Sequence, residues 1–174
     1  MTDKKQLPTD DAFQKGLATR TQVMGQSFVD KAFGGMTDFT EPMQHHITRA
    51  AWGDTWQRGV LDLKTRSLVT VAMLTALGKS HELKGHVRGA LNNGATQEEI
   101  QEVLLHAAVY CGVPTAVEGF RAAAEVVDVV EAVLDVYREQ RETHETFART
   151  LNRVGFDLFK TAANAARKTT ARAA

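Results

Sequence analysis

The sequence predicts an all-α protein that folds as a single-domain helical bundle. Apolar residues recur at helical spacing along most of the 174 residues, and no stretch alternates apolar and polar residues as a half-buried strand does. The chain has only three prolines, and its glycines fall mainly between the helical segments. With 43% hydrophobic and 24% charged residues, it is large and apolar enough to form one hydrophobic core.

Charge and cysteine content narrow the functional classes. Basic and acidic residues both number 21, so no net field favours a nucleic acid or an anionic membrane. No apolar run approaches the roughly 20 residues that span a bilayer, and residues 1–10 lack the apolar stretch of a signal peptide. Cys111 is the only cysteine, which excludes intramolecular disulfides and Cys-x-x-Cys redox sites. We therefore expect a cytoplasmic protein without nucleic-acid or membrane partners.

The first half of the chain predicts a series of amphipathic helices. Residues 9–33 predict one or two helices, the FGGMTD stretch at 33–38 predicts a break, and a further helix is expected at about 42–53.

A more apolar helix is predicted from Asp62, a suitable N-cap residue, to Leu77, with Gly78 ending it. Its part from 68 to 77 is apolar on nearly every side, so we expect it to be buried all round. In a chain of this size, such burial indicates contact with a partner subunit.

The second half continues the helical pattern. Ser80 is expected to cap a helix that ends at the LNNG stretch, 91–94, and Thr96 with Glu99 has the spacing of a capping box. The predicted core face of the helix after this box consists of Ile100, Val103, Leu104, Ala107 and Cys111.

A long helix and an appended segment complete the chain. Gly112 is expected to end the preceding helix, and Pro114 suits the first turn of a long helix that runs towards Arg138. Beyond residue 140, one amphipathic helix is predicted, and its apolar stripe consists of Phe147, Leu151, Val154 and Leu158.

The HELKGH stretch, His81 to His86, carries the clearest chemistry. The two histidines of a zinc-protease H-E-x-x-H motif are i and i+4, whereas His81 and His86 point roughly 140° apart, so one helix cannot offer both to one metal ion. Glu82 and His86 are i and i+4, and a carboxylate there can orient the imidazole and raise its pKa. The pattern indicates either an acid–base pair or a solvated helix face, and it predicts no metal site.

Five short motifs occur in a characteristic order and spacing. They are WGDTW (52–56), DLKTRSL (62–68), EL..H (82–86), RGALNNG (88–94) and EEIQEVLLHAAVYCGVP (98–114). Over roughly residues 22–127, the sequence closely resembles the 4-carboxymuconolactone decarboxylase family. The resemblance implies an all-helical, alkylhydroperoxidase-like fold that assembles into a ring-shaped homo-oligomer, a hexamer or a trimer.

The sequence departs from relatives of this family in informative places. Alkylhydroperoxidases of the wider superfamily use a Cys-x-x-Cys-x-x-x-His site, but here Lys79 and Glu82 stand where the cysteines would precede His86. This disfavours the peroxidase branch. Phe28 stands where the family often has Tyr, and His106 where it often has Gln. We divide the chain into an N-terminal polar segment with the first helix (1–21), a carboxymuconolactone decarboxylase-like domain (22–140), and an appended amphipathic helix with a basic tail (141–174).

The resemblance implies decarboxylation of 4-carboxymuconolactone, or a close lactone carboxylate, in the β-ketoadipate pathway of aromatic-acid breakdown. The substrate supplies its own electron sink, because the leaving carboxylate lies beside a C=C bond that is conjugated to the lactone carbonyl. No metal, pyridoxal phosphate or thiamine is needed, and no cofactor is expected. The protein must anchor the retained carboxylate, donate hydrogen bonds to the developing oxyanion and protonate the carbanionic carbon.

His86 is the predicted proton donor, and Glu82 is predicted to orient it. The candidate substrate-binding residues are Arg58, Arg66, Arg88, Trp52 and Trp56. Each arginine could hold a carboxylate through two guanidinium N–H groups or form a surface salt bridge. The tryptophans could line an apolar pocket or pack in the core. Two alternatives remain open: a related lactone or keto-acid enzyme that uses the same histidine, and a non-catalytic ring-forming protein that docks through its terminal helix, 144–163.

Overall fold

The computed structural model describes residues 7–173, with side chains up to residue 169, and every regular element in that part of the chain is a helix. This confirms the all-α prediction. The helices are α1 (Asp11–Met24), α2 (Gln26–Gly34), α3 (Glu41–Ile47), α4 (Leu63–Ala76), α5 (Ser80–Asn92), α6 (Gln97–Cys111), α7 (Val113–Gln140), α8 (Phe147–Val154) and α9 (Phe156–Ala173). None of the described helices is long and apolar enough to cross a membrane.

Side-chain caps determine where α4 and α6 begin. The Asp62 carboxylate accepts a hydrogen bond of 2.7 Å from the Thr65 N–H. At the start of α6, the Glu99 N–H donates to Thr96 Oγ1 at 3.2 Å, and the Thr96 N–H donates to the Glu99 carboxylate at 2.8 Å. These contacts satisfy backbone donors that the first turn leaves unpaired. Both caps confirm the boundaries predicted from sequence.

Two other boundaries differ from the prediction. Ser80 is the first residue of α5 rather than its cap; Lys79 occupies the cap position, and no side chain caps this helix. The helix expected at about 42–53 changes character part-way, because α3 continues into a π-helix at Thr48–Asp54, followed by a 3₁₀ turn at Thr55–Gln57. Single π-turns occur often at functional sites, and this one carries Trp52.

Most buried apolar side chains of the described residues belong to two clusters. The larger cluster joins α4, α5, α6 and α7 and contains Val71, Leu83, Val87, Ala90, Ala95, Ile100, Leu104, Ala122, Ala123 and Val126. The smaller cluster joins α1 to the π-helix and contains Val23, Met24 and Trp52, with Phe28, Ile47, Ala51, Trp56 and Leu63 packed around them. The predicted site residues Trp52 and Trp56 therefore belong to the smaller cluster.

Glycines allow α1 to pack directly on the π-helix. A Cβ atom on Gly16 would overlap the Thr48 carbonyl oxygen, and one on Gly53 would overlap the Ala12 carbonyl oxygen. The two backbones are therefore in contact at positions where a larger residue has no room. This packing fixes the turn of the π-helix that carries Trp52.

Within one chain, α4 is buried on one side only. Val71 and Thr75 are buried, but Val69 and Met73 are exposed, with 59% of Met73 accessible. Burial of the remaining face by another subunit stays a prediction. The prediction for Cys111 is wrong: it is exposed, because it is the last residue of α6 and this turn extends past the core, whereas Ile100, Leu104 and Ala107 are buried as expected.

The C-terminal extension consists of two helices where one was predicted. Gly155 adopts a φ of 87°, which an L-residue rarely adopts, and separates α8 from α9. The break changes the phase of the apolar stripe, so that Phe159 is buried while the predicted Leu158 is 43% exposed. α9 packs along α7. The extension therefore finds an apolar partner in its own chain.

Candidate active site

Three aromatic rings from separate elements form the centre of the candidate site. The imidazole of His86, on α5, lies parallel to the indole of Trp52, with centroids 6.2 Å apart and an interplanar angle of 1°. The indoles of Trp52 and Trp56 lie 4.7 Å apart with an interplanar angle of 31°. Trp52 is buried. The structure thus brings together three of the side chains that the sequence singled out.

His86 is placed in a largely apolar environment. Its Nδ1 atom is buried, and no hydrogen-bond partner for it lies within the described part of the chain. Burial lowers the pKa of His86, because it disfavours the charged imidazolium, and attraction by the Glu82 carboxylate opposes this shift only in part. The sequence pattern suggested that Glu82 raises the pKa; the structure adds desolvation as the larger effect.

Glu82 acts on His86 through charge rather than through contact. It is exposed, and among residues 7–173 it forms neither a hydrogen bond nor an ion pair with His86. Helix geometry places the two side chains on the same face of α5, one turn apart. An orienting role for Glu82 stays a prediction.

Phe28 and Met24 form an apolar wall beside His86. A Cβ atom on Gly85 would lie 3.1 Å from Met24 Cε and 3.6 Å from Phe28 Cε2, so the missing side chain gives both residues space against α5. Phe28 also packs against the cluster that contains Trp52. The apolar wall therefore continues from α5 across α2 and α1 to the π-helix.

None of the three predicted arginines forms a hydrogen bond or a ring contact with His86 among the described residues. Arg66 donates from Nη2 to the Arg58 carbonyl oxygen at 2.6 Å, and its Nε is buried without an acceptor in the described residues. Arg66 lies one turn after Leu63 on α4, and Leu63 packs against the tryptophan cluster. The side chain of Arg58 is exposed.

Arg88 is also exposed, and it follows His86 by two positions on α5. Two helical positions correspond to about 200°, so the side chains of Arg88 and His86 leave α5 in nearly opposite directions. Arg88 therefore does not approach the imidazole of its own chain.

A fourth arginine, which the sequence analysis missed, is buried beside the aromatic cluster. Arg20, on α1, is only 5% exposed. Its Nη1 donates to Gln44 Oε1 at 3.0 Å and to Thr48 Oγ1 at 3.2 Å, and its guanidinium carbon lies 5.8 Å from the centroid of the Phe28 ring. Its position on the apolar stripe of α1, between Gly16 and Val23, is the signal that could have revealed it.

The positions of the histidines agree with the angle argued from spacing. His81 is exposed, whereas His86 is partly buried against Trp52. Over residues 7–173 no three His, Cys, Asp or Glu side chains group in a way that could hold a metal ion.

Comparison with known proteins identifies the family. Residues 41–125 match the model of the carboxymuconolactone decarboxylase family. Over 117 residues the chain is 40% identical to 4-carboxymuconolactone decarboxylase from Acinetobacter baylyi, an alignment that covers 67% of this chain and 87% of that protein. The chain belongs to the carboxymuconolactone decarboxylase family.

A second relative of this chain is named for a different acid. Over 116 residues the chain is 43% identical to nitrosuccinic acid decarboxylase from Metarhizium robertsii, covering 67% of this chain and 81% of that protein. Both relatives are named as decarboxylases, which supports the assignment of this chain as a carboxy-lyase. The matched family region runs from α3 into α7 and contains Trp52 and His86, whereas Arg20 lies before it.

Proposed function

We propose that the chain decarboxylates 4-carboxymuconolactone, or a close lactone carboxylate, to an enol-lactone, with His86 as the proton donor. The observation that supports this most directly is the placement of His86 against Trp52, with a buried and unpartnered Nδ1. An imidazole can be protonated and still release its proton near neutral pH, which suits a general acid. The relative from Acinetobacter baylyi, 40% identical, is named for this substrate.

In the proposed reaction the C–C bond to the leaving carboxylate breaks, and CO₂ departs. The electron pair moves through the ring C=C bond onto the lactone carbonyl oxygen and forms a dienolate. His86 then protonates the ring carbon next to the carbonyl, which re-forms the C=O bond and leaves the C=C bond in its new position. Stabilising the carbonyl oxygen as it becomes negative lowers the barrier to the first step.

The apolar surroundings of His86 favour this sequence of steps. The wall of Trp52, Phe28 and Met24 keeps water from the leaving carboxylate, whose charge disperses as CO₂ forms. Burial makes the imidazolium of His86 a stronger acid, because it lowers the pKa. A bound dianionic substrate opposes that shift by attraction, so we expect His86 to take up a proton as the substrate binds.

Arg66 is the proposed donor to the lactone oxygen. Its Nε is buried without an acceptor among the described residues, and its Nη2 is held by the Arg58 carbonyl. Arg58 and Arg88 stay candidates for carboxylate binding. Arg88 points away from His86 on the same helix, so it can reach a substrate only in the site of another subunit.

We also propose that the chain assembles into a ring, a hexamer. Exposed apolar side chains extend over α4, α6 and the start of α7; they are Val69, Met73, Leu77, Leu105, Val109, Tyr110 and Val113. Between α4 and α6 lies an open groove of about 580 Å³ with mainly apolar lining. Exposed apolar surface beside an apolar groove is typical of subunit interfaces. Light scattering tests the assembly, and a stable monomer would contradict it.

A second candidate substrate follows from the relative that is 43% identical and named for nitrosuccinic acid. In that acid the nitro group, bonded to the carbon next to a carboxylate, can accept the electron pair as a nitronate. Both acids carry the electron sink and a retained carboxymethyl group on the carbon that loses CO₂. They are therefore substituted succinates, and one site can serve the same chemistry in both.

Direct assay distinguishes the two candidates. Purified protein is incubated with 4-carboxymuconolactone and, separately, with nitrosuccinate, and release of CO₂ is measured together with the product. We expect the lactone to give the higher kcat/KM. A higher value for nitrosuccinate would favour the second candidate, and absence of CO₂ from both would contradict the proposed function.

A further inference from the structure

Arg20 is a buried cation without a counter-ion in residues 7–173. Its side chain is 5% exposed, and its hydrogen-bond partners, Gln44 and Thr48, are neutral. Burial of a guanidinium without an opposite charge is unfavourable, since water no longer solvates it. Gln44 and Thr48 orient the guanidinium but leave its charge uncompensated.

One edge of the Arg20 guanidinium has no acceptor among the described residues. Both hydrogen bonds come from Nη1, and Nε is buried without a partner. The Nε and Nη2 groups form the side-on fork that matches the two oxygens of a carboxylate. Neither atom of this fork in Arg20 donates a hydrogen bond to any group in the described part of the chain.

Two other arginines in the chain show how this fork is used. Arg49 donates from Nε and Nη2 to the Asp10 carboxylate at 3.1 and 2.6 Å. Arg153 donates from the same two atoms to the Glu145 carboxylate at 3.0 and 2.7 Å. In both of those pairs a carboxylate of the same chain fills the fork, whereas Arg20, whose Nε is buried, has no carboxylate partner among the described residues.

Phe28 connects Arg20 to the candidate active site. The guanidinium carbon of Arg20 lies 5.8 Å from the centroid of the Phe28 ring, and Phe28 Cε2 lies against α5 at Gly85, the residue before His86. Thr48, which accepts from Arg20, lies one turn before Trp52, whose ring stacks on His86. Arg20 and His86 thus border the same apolar wall from different helices.

We propose that the Nε–Nη2 edge of Arg20 binds the carboxylate that the substrate retains. This rests on the proposed function: both candidate substrates keep a carboxymethyl group when CO₂ leaves. The anchored carboxylate neutralises Arg20 and holds the substrate so that its reacting carbon faces His86. The leaving carboxylate then stays in the apolar part of the site, where no cation stabilises it in the ground state.

Succinate is a suitable probe, because it has the two carboxylates but no electron sink and cannot react. Its affinity for the full-length protein is measured by calorimetry for the wild type, Arg20→Gln and Arg20→Lys. Arg49→Gln is the matched control, because the Nε–Nη2 edge of Arg49 already binds the Asp10 carboxylate of the same chain. We expect Arg20→Gln to weaken succinate binding by roughly 10- to 100-fold and Arg20→Lys to restore only part of it. Arg49→Gln should bind as the wild type does.

Kinetics separate a substrate anchor from an independent anion site. We expect Arg20→Gln to raise KM by roughly 10- to 100-fold and to change kcat by less than about threefold, since an anchor of the retained carboxylate acts in the ground state and transition state alike. Loss of succinate binding with an unchanged KM would overturn the assignment as substrate anchor. A folded Arg20→Gln variant with wild-type affinity and KM would overturn the subsite itself.

A spectroscopic measurement on the wild type covers the case in which the variants fail to fold. The Nε–H resonance of Arg20, assigned in ¹⁵N-labelled protein, should shift on addition of succinate, and an unchanged resonance at saturation would overturn the proposal. Succinate binding needs no turnover. If succinate binding depends on Arg20 but the protein releases CO₂ from neither acid, only the proposed function is refuted. If the protein is active but neither succinate binding nor KM depends on Arg20, only the role of Arg20 as carboxylate anchor is refuted.

Discussion

The ring of His86 lies parallel to that of Trp52, with centroids 6.2 Å apart and an angle of 1° between their planes. The two rings therefore lie parallel to each other, and the Nδ1 atom of His86 is buried without a hydrogen-bond partner in the described residues. Trp52 belongs to a π-helix that packs on α1. His86 itself lies on α5. The surroundings of this proposed proton donor thus depend on the packing of α1 against the π-helix.

Replacement of His86 tests its role as the proton donor. We expect His86→Ala to fold and to lower kcat by roughly 10² to 10⁴, the usual contribution of general acid catalysis. His81→Ala is the matched control, because His81 is exposed on the same helix and should retain activity. Circular dichroism and steady-state kinetics give the two measurements. Full activity in His86→Ala would contradict the mechanism.

The pH dependence of catalysis follows from the lowered pKa of His86. If the free enzyme must carry a protonated His86, kcat/KM falls as the pH rises through that pKa, which lies below 6.5. Because a bound anionic substrate raises the pKa, the corresponding decrease in kcat should occur at higher pH. An NMR titration of the His86 imidazole compares the pKa directly with the kinetic profile. A limb of kcat/KM above pH 6.5 would contradict the assignment.

Glu82→Gln tests the electrostatic contribution of Glu82. Attraction by this carboxylate raises the pKa of His86, so its removal should lower that pKa further and move the kcat/KM limb to lower pH. We expect a smaller loss of turnover than in His86→Ala. Glu118→Gln, which alters an exposed carboxylate on α7, is the control and should leave the limb in place. An unmoved limb in Glu82→Gln would exclude this role.

The same pKa shift affects folding stability. His86 has a lower pKa in the folded than in the unfolded state, so the unfolded chain binds more protons between the two values. The stability associated with neutral His86 is present above about pH 6.5, the ordinary value for histidine, and is lost as the pH falls through the folded pKa. The free energy of unfolding, measured by urea denaturation, should therefore depend less on pH over that window in His86→Asn than in the wild type.

Gly16→Ala tests the close packing of α1 on the π-helix. The new Cβ would overlap the Thr48 carbonyl oxygen, so the two backbones must separate, at a cost of about 1–3 kcal/mol in unfolding free energy. Since this shifts the turn that carries Trp52, activity should fall as well. Gly34→Ala is the control, because no described atom outside its own helical turn lies within 4 Å of its added Cβ. Equal stabilities of the two variants would contradict the argument.

Local signals in the sequence predicted the helices well where a cap or a glycine fixes the end. Asp62, Thr96 and Pro114 each act as their type and spacing predicted. The angle between His81 and His86 was also predictable, since it depends only on the helical repeat. The stacking of His86 on Trp52 was not, because it depends on how α5 and the π-helix pack.

Other features depend on tertiary packing that periodicity does not reveal. The core stripe of α6 continues in sequence to Cys111, but the core ends before that residue. The helix break at Gly155 resets the apolar face from Leu158 to Phe159. The burial of Arg20 was not predicted, because its position on an apolar stripe does not reveal its hydrogen-bond acceptors. These acceptors lie on α3 and the π-helix.

The C-terminal extension should stabilise the bundle rather than contribute to catalysis. Truncation after Gln140 removes α8 and α9 and exposes the face of α7 that α9 covers. We expect lower stability or weaker assembly with per-site activity largely retained, as measured by thermal unfolding, light scattering and kinetics. Lost activity in a truncated protein that still assembles would contradict this assignment of the extension.

A pair of point variants isolates the packing of α9 in the full-length chain. Phe159 is 3% exposed and contacts the ring of Phe147 at a centroid distance of 5.3 Å, whereas Phe156, on the same helix, is 65% exposed. Phe159→Ala should cost about 3–5 kcal/mol of unfolding free energy through the cavity it leaves, and Phe156→Ala less than about 0.5 kcal/mol. Urea denaturation measures both. If Phe156→Ala proves the more destabilising, the exposed face of α9 is covered in the assembled protein, and the extension contributes to subunit contacts as well as to the fold of its own chain.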